Sequence, residues 1–214
     1  MKDAKLIKFD DETRKDHSYL RADDDCYFFI EWTAKKGYSY SDANGFMSNL
    51  KKNPSVDRFQ LKHKLTAIRE AAETLAEELP EKWLKKYTFV PVPPSKSKKD
   101  DDYDDRMSEI LTKIGDVDVR ELVYQLKSMD ATHTLKKKRH KVSELAANYK
   151  IAEKLTKPEP TRIVIVDDMV TAGAHYRAMC QVLRKRFPEV PISGVFLARR
   201  IFAGDEEEED ADDE

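Results

Sequence analysis

The chain has 214 residues, enough for one well-packed α/β domain with an added segment and too few for two independent domains. Charged residues make up 37% against 40% hydrophobic, and the net charge of −2 conceals a basic run at Leu135–Lys141 and an acidic run at Asp205–Glu214, so whole-molecule charge points to no partner and nucleic acid is not expected as a direct ligand. Cys26 and Cys180 offer neither a disulfide framework nor a CxxC metal spacing, no apolar signal core precedes Asp25, and no apolar run reaches the roughly 20 residues that span a bilayer, so a cytoplasmic setting without membrane contact is expected.

The first clear element is Cys26–Trp32, aromatic and β-branched, and Tyr38 and Tyr40 beyond Gly37 predict a returning strand and hence a hairpin. Ser41–Gly45 carries turn and capping chemistry ahead of a short helix containing Phe46, Met47 and Leu50. Leu61, Leu65, Ile68, Ala72, Leu75 and Leu79 recur at steps of three and four and predict a long amphipathic helix with its charges on the other face, stopped by Pro80. Tyr87–Val92 reads as a strand that must turn at Pro93 and Pro94.

The charge run Lys99–Arg106 reads as solvation and capping of the next helix, with metal binding as the other option, and Met107, Ile110, Leu111 and Ile114 form that helix's apolar stripe. Val117–Leu126 predicts a second core strand, Ser128–His140 a polar loop, Ser143–Ala147 a short helix and Asn148–Ile151 a strand. In the last third, a strand at Arg162–Val166, a helix at Ala174–Phe187 and a strand at Ile192–Leu197 alternate as a parallel sheet requires. The expected organisation is an N-terminal hairpin and helical elaboration at 1–86, an α/β core at 87–204 and a disordered acidic tail at 205–214.

Chemistry concentrates in Ile163-Val164-Ile165-Val166-Asp167-Asp168-Met169-Val170-Thr171-Ala172-Gly173-Ala174-His175. A buried parallel strand delivers two carboxylates to its C-terminal edge, where open α/β sheets bind ligands. The N–H groups of a turn at Thr171, Ala172 and Gly173, with the positive end of a helix starting at Ala174, suit a phosphate, and Asp167 and Asp168 suit the hydroxyls of a ribose. The same pair also suits a strand end that merely caps a helix.

This segment resembles the PRPP-binding motif of type I phosphoribosyltransferases, in which apolar residues, two acids, two variable residues and Thr-Thr-Gly follow one another; Ala172 departs from it where Thr is usual. The resemblance is nearest to the ComF-like branch, whose Pro-Val-Pro turn after the first core strand is similar to Val90–Lys96, and it covers roughly Thr88–Arg199. It implies a Rossmann-like parallel-sheet core with an N-terminal α+β hood, and PRPP or a phosphoribosyl nucleotide as ligand, accompanied by Mg²⁺.

Residue by residue, the resemblance assigns Asp167, Asp168, Thr171, Ala172, Gly173, Ala174 and His175 to PRPP, and Pro93, Pro94, Ser95 and Lys96 to pyrophosphate. Lys96, together with Arg139 on a mobile Ser128–His140 lid, is the candidate for catalysis, and Arg139 and Asn148-Tyr149 are rough counterparts of the branch's Arg and Asn-aromatic pair. No protein side chain is expected to ligate the metal directly: Mg²⁺ sits near Asp167 and Asp168, on ligand oxygens. The reaction implied is displacement of pyrophosphate from C1 by a nitrogen nucleophile. A non-catalytic sensor of PRPP or nucleotides, or a partner protein in a multi-protein system, fits the same motif, and a homodimer is compatible with either. A P-loop is excluded because no GxxxxGK[ST] occurs, and a receiver-like domain because too little chain follows Asp168.

Overall fold

The run Ile163–Val166 has no polar side to turn to water, so a strand made from it needs cover on both faces. The computed structural model, which describes residues 1, 3–100, 102–129 and 141–203, gives it that cover. In chain order, β1 (Ile7–Lys8), α1 (Asp11–Arg14), β2 (Asp25–Thr33), α2 (Asp42–Leu50), α3 (Arg58–Glu78) and α4 (Glu81–Lys86) come first. Next are β3 (Thr88–Pro91), α5 (Arg106–Lys113), β4 (Asp118–Val119) and β5 (Val123–Gln125). The chain then runs through α6 (Val142–Asn148), β6 (Tyr149–Ile151), β7 (Ile163–Val170), α7 (Ala174–Arg186) and β8 (Ile192–Ile201).

Among the described residues, six strands form one sheet in the order β1-β2-β8-β7-β3-β4, while β5 and β6 pair by themselves. Every pairing in the large sheet is parallel except β1 with β2. The fold is therefore mixed α/β around a mostly parallel, Rossmann-like sheet. Val164 and Val166 of β7 pack with Phe46, Ile68, Leu75 and Ile110 from α2, α3 and α5. Ile163 and Ile165 pack on the opposite face with Leu145, Ala178 and Leu183 from α6 and α7. Each of these β7 side chains is fully buried, which contributes about 1.5–3 kcal/mol apiece.

Four local expectations need correction. The hairpin at Cys26–Tyr40 does not form: β2 already pairs with β1 on one side and β8 on the other, so no edge is left for a return strand, and Tyr38 and Tyr40 lie exposed in a turn. That turn is held by Asn44, whose side chain bonds the N–H and C=O of Thr33 and the carbonyl of Lys36. The single strand expected at Val117–Leu126 is broken into β4, on the large sheet, and β5, which leaves it to pair with β6. The α3 stripe is rotated from the leucine spacing, since Leu65 is exposed while Lys64 is buried. Finally, β7 runs on through Val170, so Asp167 and Asp168 stand inside the strand's end rather than beyond it.

Candidate functional site at the end of the central strands

β3 and β7 run parallel with Pro91 opposite Val166, and the Val92 N–H donates to the Val166 carbonyl at 2.9 Å. The turns that follow the two strands consequently leave the sheet side by side, at its C-terminal edge. One carries Pro93, Pro94, Ser95 and Lys96; the other carries Thr171, Ala172 and Gly173.

The second turn is anion-friendly in detail. Gly173 has φ +88°, a left-handed conformation natural to glycine, and is the N-cap of α7. Among the described residues, no acceptor takes the N–H groups of Thr171, Ala172 or Gly173, whereas the carbonyls of Thr171 and Ala172 are bonded to His17 and Tyr19. Ala174 opens α7 and is half-buried; one residue on, His175 meets the hydroxyl of buried Tyr149 at 2.7 Å through Nδ1. Ala172 is buried, so the Thr of the usual motif would bring its hydroxyl into a closed space here.

The carboxylates divide their work. Strand alternation puts Asp168 on the face of α2, α3 and α5, where its Oδ2 accepts from Arg106 Nε at 2.8 Å and from Nη2, and its Oδ1 lies 3.4 Å from Lys51 Nζ. Arg106 also pairs with Asp104 at 2.6 Å, and Asp104 with Lys64 at 2.7 Å, so a chain of alternating charges runs from buried Asp168 through half-buried Arg106 and Asp104 to buried Lys64. Asp167 faces the other way, its Oδ1 accepting from the Asp168 N–H at 2.8 Å. Burial raises its proton affinity and the neighbouring Asp168 charge adds to that, holding the Asp167 carboxyl above the usual range. For Asp168 burial pushes the same way, but Lys51 and Arg106 outweigh it and keep the carboxyl ionised.

Sequence reasoning thus grouped the two acids as equal ribose contacts, and the geometry separates them: among the described residues Asp167 keeps an oxygen without a cationic partner, while Asp168 is engaged at both oxygens. Lys51, Asp104 and Arg106 were missed as parts of the site. The run Lys99–Arg106, read as solvated capping, instead sends Asp104 and Arg106 inward, and Asp105 makes no side-chain cap. No local signal marks them, because the partners that draw them inward are distant in sequence, Asp168 for Lys51 and Arg106 and Lys64 for Asp104.

Both Asp168 oxygens meet cations, and among the described residues no three His, Cys, Asp or Glu side chains gather around a common point.

On the first turn, the Ser95 carbonyl accepts from the Met129 N–H at 2.7 Å and the Ser97 N–H donates to Ser128 at 2.9 Å. The Pro94 carbonyl accepts from Gln125. Pro93 and Pro94, with trans peptide bonds, and Lys96 line a mainly apolar cleft of about 470 Å³ with Tyr103 and Tyr124. Lys96 Nζ is 3.7 Å from Asp100. Arg139, and with it residues 130–140 of the expected lid, lies outside the described residues, as does the tail 205–214. The larger cavity, about 940 Å³, is elsewhere, between Tyr38, Asp42, Phe46, Glu73 and Glu77; its acidic rim is unsuited to a phosphorylated ligand.

No model of a known protein family matches the chain, and no curated protein matches it. Among the described residues, no helix is long and apolar enough to cross a membrane.

Proposed function

We propose that the chain binds PRPP, or a ribose 5-phosphate nucleotide, at the turn after β7, and that it is a phosphoribosyltransferase of the type I class, nearest to the ComF-like branch, acting on a nitrogen acceptor. The observation that carries this reading is the adjacency of two turns on neighbouring parallel strands. One, at 171–173, offers N–H groups with no acceptor among the described residues, and the other holds Ser95 and Lys96. A ligand with a phosphate at one end and a pyrophosphate at the other matches that spacing of functions.

In this reading the N–H groups of Thr171–Gly173 and the α7 N-terminus hold the 5-phosphate. Asp167 accepts from a ribose hydroxyl, and Ser95 and Lys96 meet the pyrophosphate as it leaves with its Mg²⁺. Arg139 is the further cation proposed for the leaving group. The chain's own part in the reaction is to hold both ends of the ligand and to stabilise the departing charge, with no covalent intermediate.

A second reading, a non-catalytic sensor of the same ligand, is favoured by one specific observation: Asp168 is committed to Arg106 and Lys51, which leaves a single carboxylate for the ribose. Titration calorimetry with PRPP and Mg²⁺, using ribose 5-phosphate and pyrophosphate for comparison, tests the shared claim. Saturable binding of PRPP tighter than of either fragment supports it, and no binding at millimolar PRPP sinks it. Pyrophosphate release on addition of nucleobase or amine acceptors then separates enzyme from sensor.

A further inference from the structure

The turn after β7 is gripped by a segment that no part of the strand–turn–helix motif contains. The Thr171 carbonyl accepts from His17 Nδ1, and the Ala172 carbonyl accepts from the Tyr19 N–H at 2.9 Å. The Tyr19 carbonyl accepts in turn from Arg177 of α7, Nε at 3.0 Å and Nη2 at 2.8 Å, and Arg177 is paired with Asp24. Leu20 completes the strap: a Cβ built on Gly173 would stand 3.2 Å from its Cδ2.

Peptide planarity converts these contacts into a direction. Across a trans peptide the carbonyl of one residue and the N–H of the next point opposite ways. Holding the Thr171 carbonyl therefore sends the Ala172 N–H to the other side, and holding the Ala172 carbonyl does the same for Gly173. Neither of those two N–H groups has a protein acceptor among the described residues.

His17 itself is fully buried, its ring edge-on to Phe9 at 5.3 Å, and its Nε2 has no hydrogen-bond partner among the described residues. Because a carbonyl only accepts, Nδ1 carries the hydrogen. A second hydrogen on Nε2 would bury a positive charge, and burial, with Arg199 and Arg200 nearby, outweighs the Thr171 hydrogen bond and Asp16 to hold the imidazole below its ordinary pKa. Packing alone gives no reason for an imidazole at this place, since an apolar side chain of that volume would leave no polar atom stranded. The turn carbonyl does give one.

We infer that His17 is a positioning residue for phosphate binding: through Nδ1 it orients the 171–172 peptide, and with Tyr19 it aims the Ala172 and Gly173 N–H groups at the anion. The inference rests on the proposed reading of this turn as a phosphate site. It makes the N-terminal segment part of the site without touching the ligand.

The test uses the full chain with two variants. His17→Asn keeps an amide N–H near the place of Nδ1, whereas His17→Leu keeps the volume and removes the donor. Ribose 5-phosphate affinity is measured by calorimetry and amide hydrogen exchange is followed at Ala172 and Gly173. His17→Leu is expected to weaken binding about tenfold, the worth of roughly one well-made hydrogen bond, and to speed exchange at both amides, with the thermal transition retained. His17→Asn is expected to restore both readouts.

Unchanged affinity and exchange in His17→Leu would overturn the inference, as would equal losses in both variants accompanied by loss of the thermal transition. If the wild-type chain binds no ribose 5-phosphate, the phosphate reading fails on its own. Exchange then decides separately: protection lost in the Leu variant and kept in the Asn variant supports His17 as the residue that orients the turn, and identical exchange rejects it.

Discussion

Arg106 donates to the same Asp168 oxygen through Nε, at 2.8 Å, and through Nη2, joining residues 62 positions apart across the face of the central sheet. A guanidinium so placed neutralises a carboxylate that the strand has carried into the interior, and it passes the charge on to Asp104 and Lys64. Removing one member of such a chain strands the others, which is where the energetic cost lies.

Arg106→Leu is therefore expected to lower the unfolding free energy by about 3 kcal/mol, because buried Asp168 loses its closest cation and Asp104 loses one of its two. Urea unfolding of the two proteins measures this directly. A shift in midpoint of less than a third of that size would mean the network is solvated and carries little.

Asp167→Asn is expected to behave differently. The folded chain holds this carboxyl above the ordinary carboxylate value, so the native state binds its proton more tightly than the unfolded state does. Stability from this group is fully present below the unfolded value of about 3.9 and is lost as pH rises through the raised folded value. Between roughly pH 5 and 8 the wild-type chain should therefore lose stability relative to Asp167→Asn, whose amide does not ionise. Parallel pH dependences of the two proteins would show that Asp167 titrates normally.

Gly173→Ala should cost about 1–2 kcal/mol from the left-handed backbone alone, and more where the new methyl meets Leu20 at 3.2 Å. Ribose 5-phosphate binding is expected to fall with it, because relief of the clash moves the turn. Thermal unfolding and calorimetry on one preparation check both parts; a variant as stable as wild type would refute the strap geometry.

Much of the scaffold was legible because it depends on local pattern. The continuous apolar run at Ile163–Val166 required a doubly covered strand, the three-and-four spacing from Leu61 to Leu79 required a helix, and Pro80 required a stop. What the pattern did not carry was pairing. Cys26–Trp32 is a strand as expected, but its neighbours are β1 and β8, the latter from the far end of the chain, and no turn residue after Trp32 announces that.

The site divides along the same line. Asp167, Asp168 and the Thr171–Gly173 turn were visible as one contiguous motif. His17, Lys51 and Arg106 were not, since each earns its place through a partner more than sixty residues away. The contact His17 makes is with a backbone carbonyl, for which no sequence signal exists.

Both cysteines should be inert in the folded chain. Cys26 and Cys180 are buried, and burial pushes both thiols up, Cys180 to about 11, so little thiolate forms near neutrality. A thiol-labelling reagent should modify neither until denaturant is added, when two equivalents should react. Rapid labelling of the native protein would mean that the packing of Cys26 against Tyr176, or of Cys180 in α7, opens readily.

The most direct test of the central claim is titration calorimetry of PRPP with Mg²⁺ into the wild-type chain and into Asp167→Asn. Asp167 is chosen over Asp168 because replacing it leaves the Arg106 network intact. The account predicts saturable binding to the wild type and affinity at least about tenfold weaker for the variant, equivalent to losing about 1.4 kcal/mol, with the thermal transition kept. Equal binding by the two proteins, or none by the wild type, would contradict it.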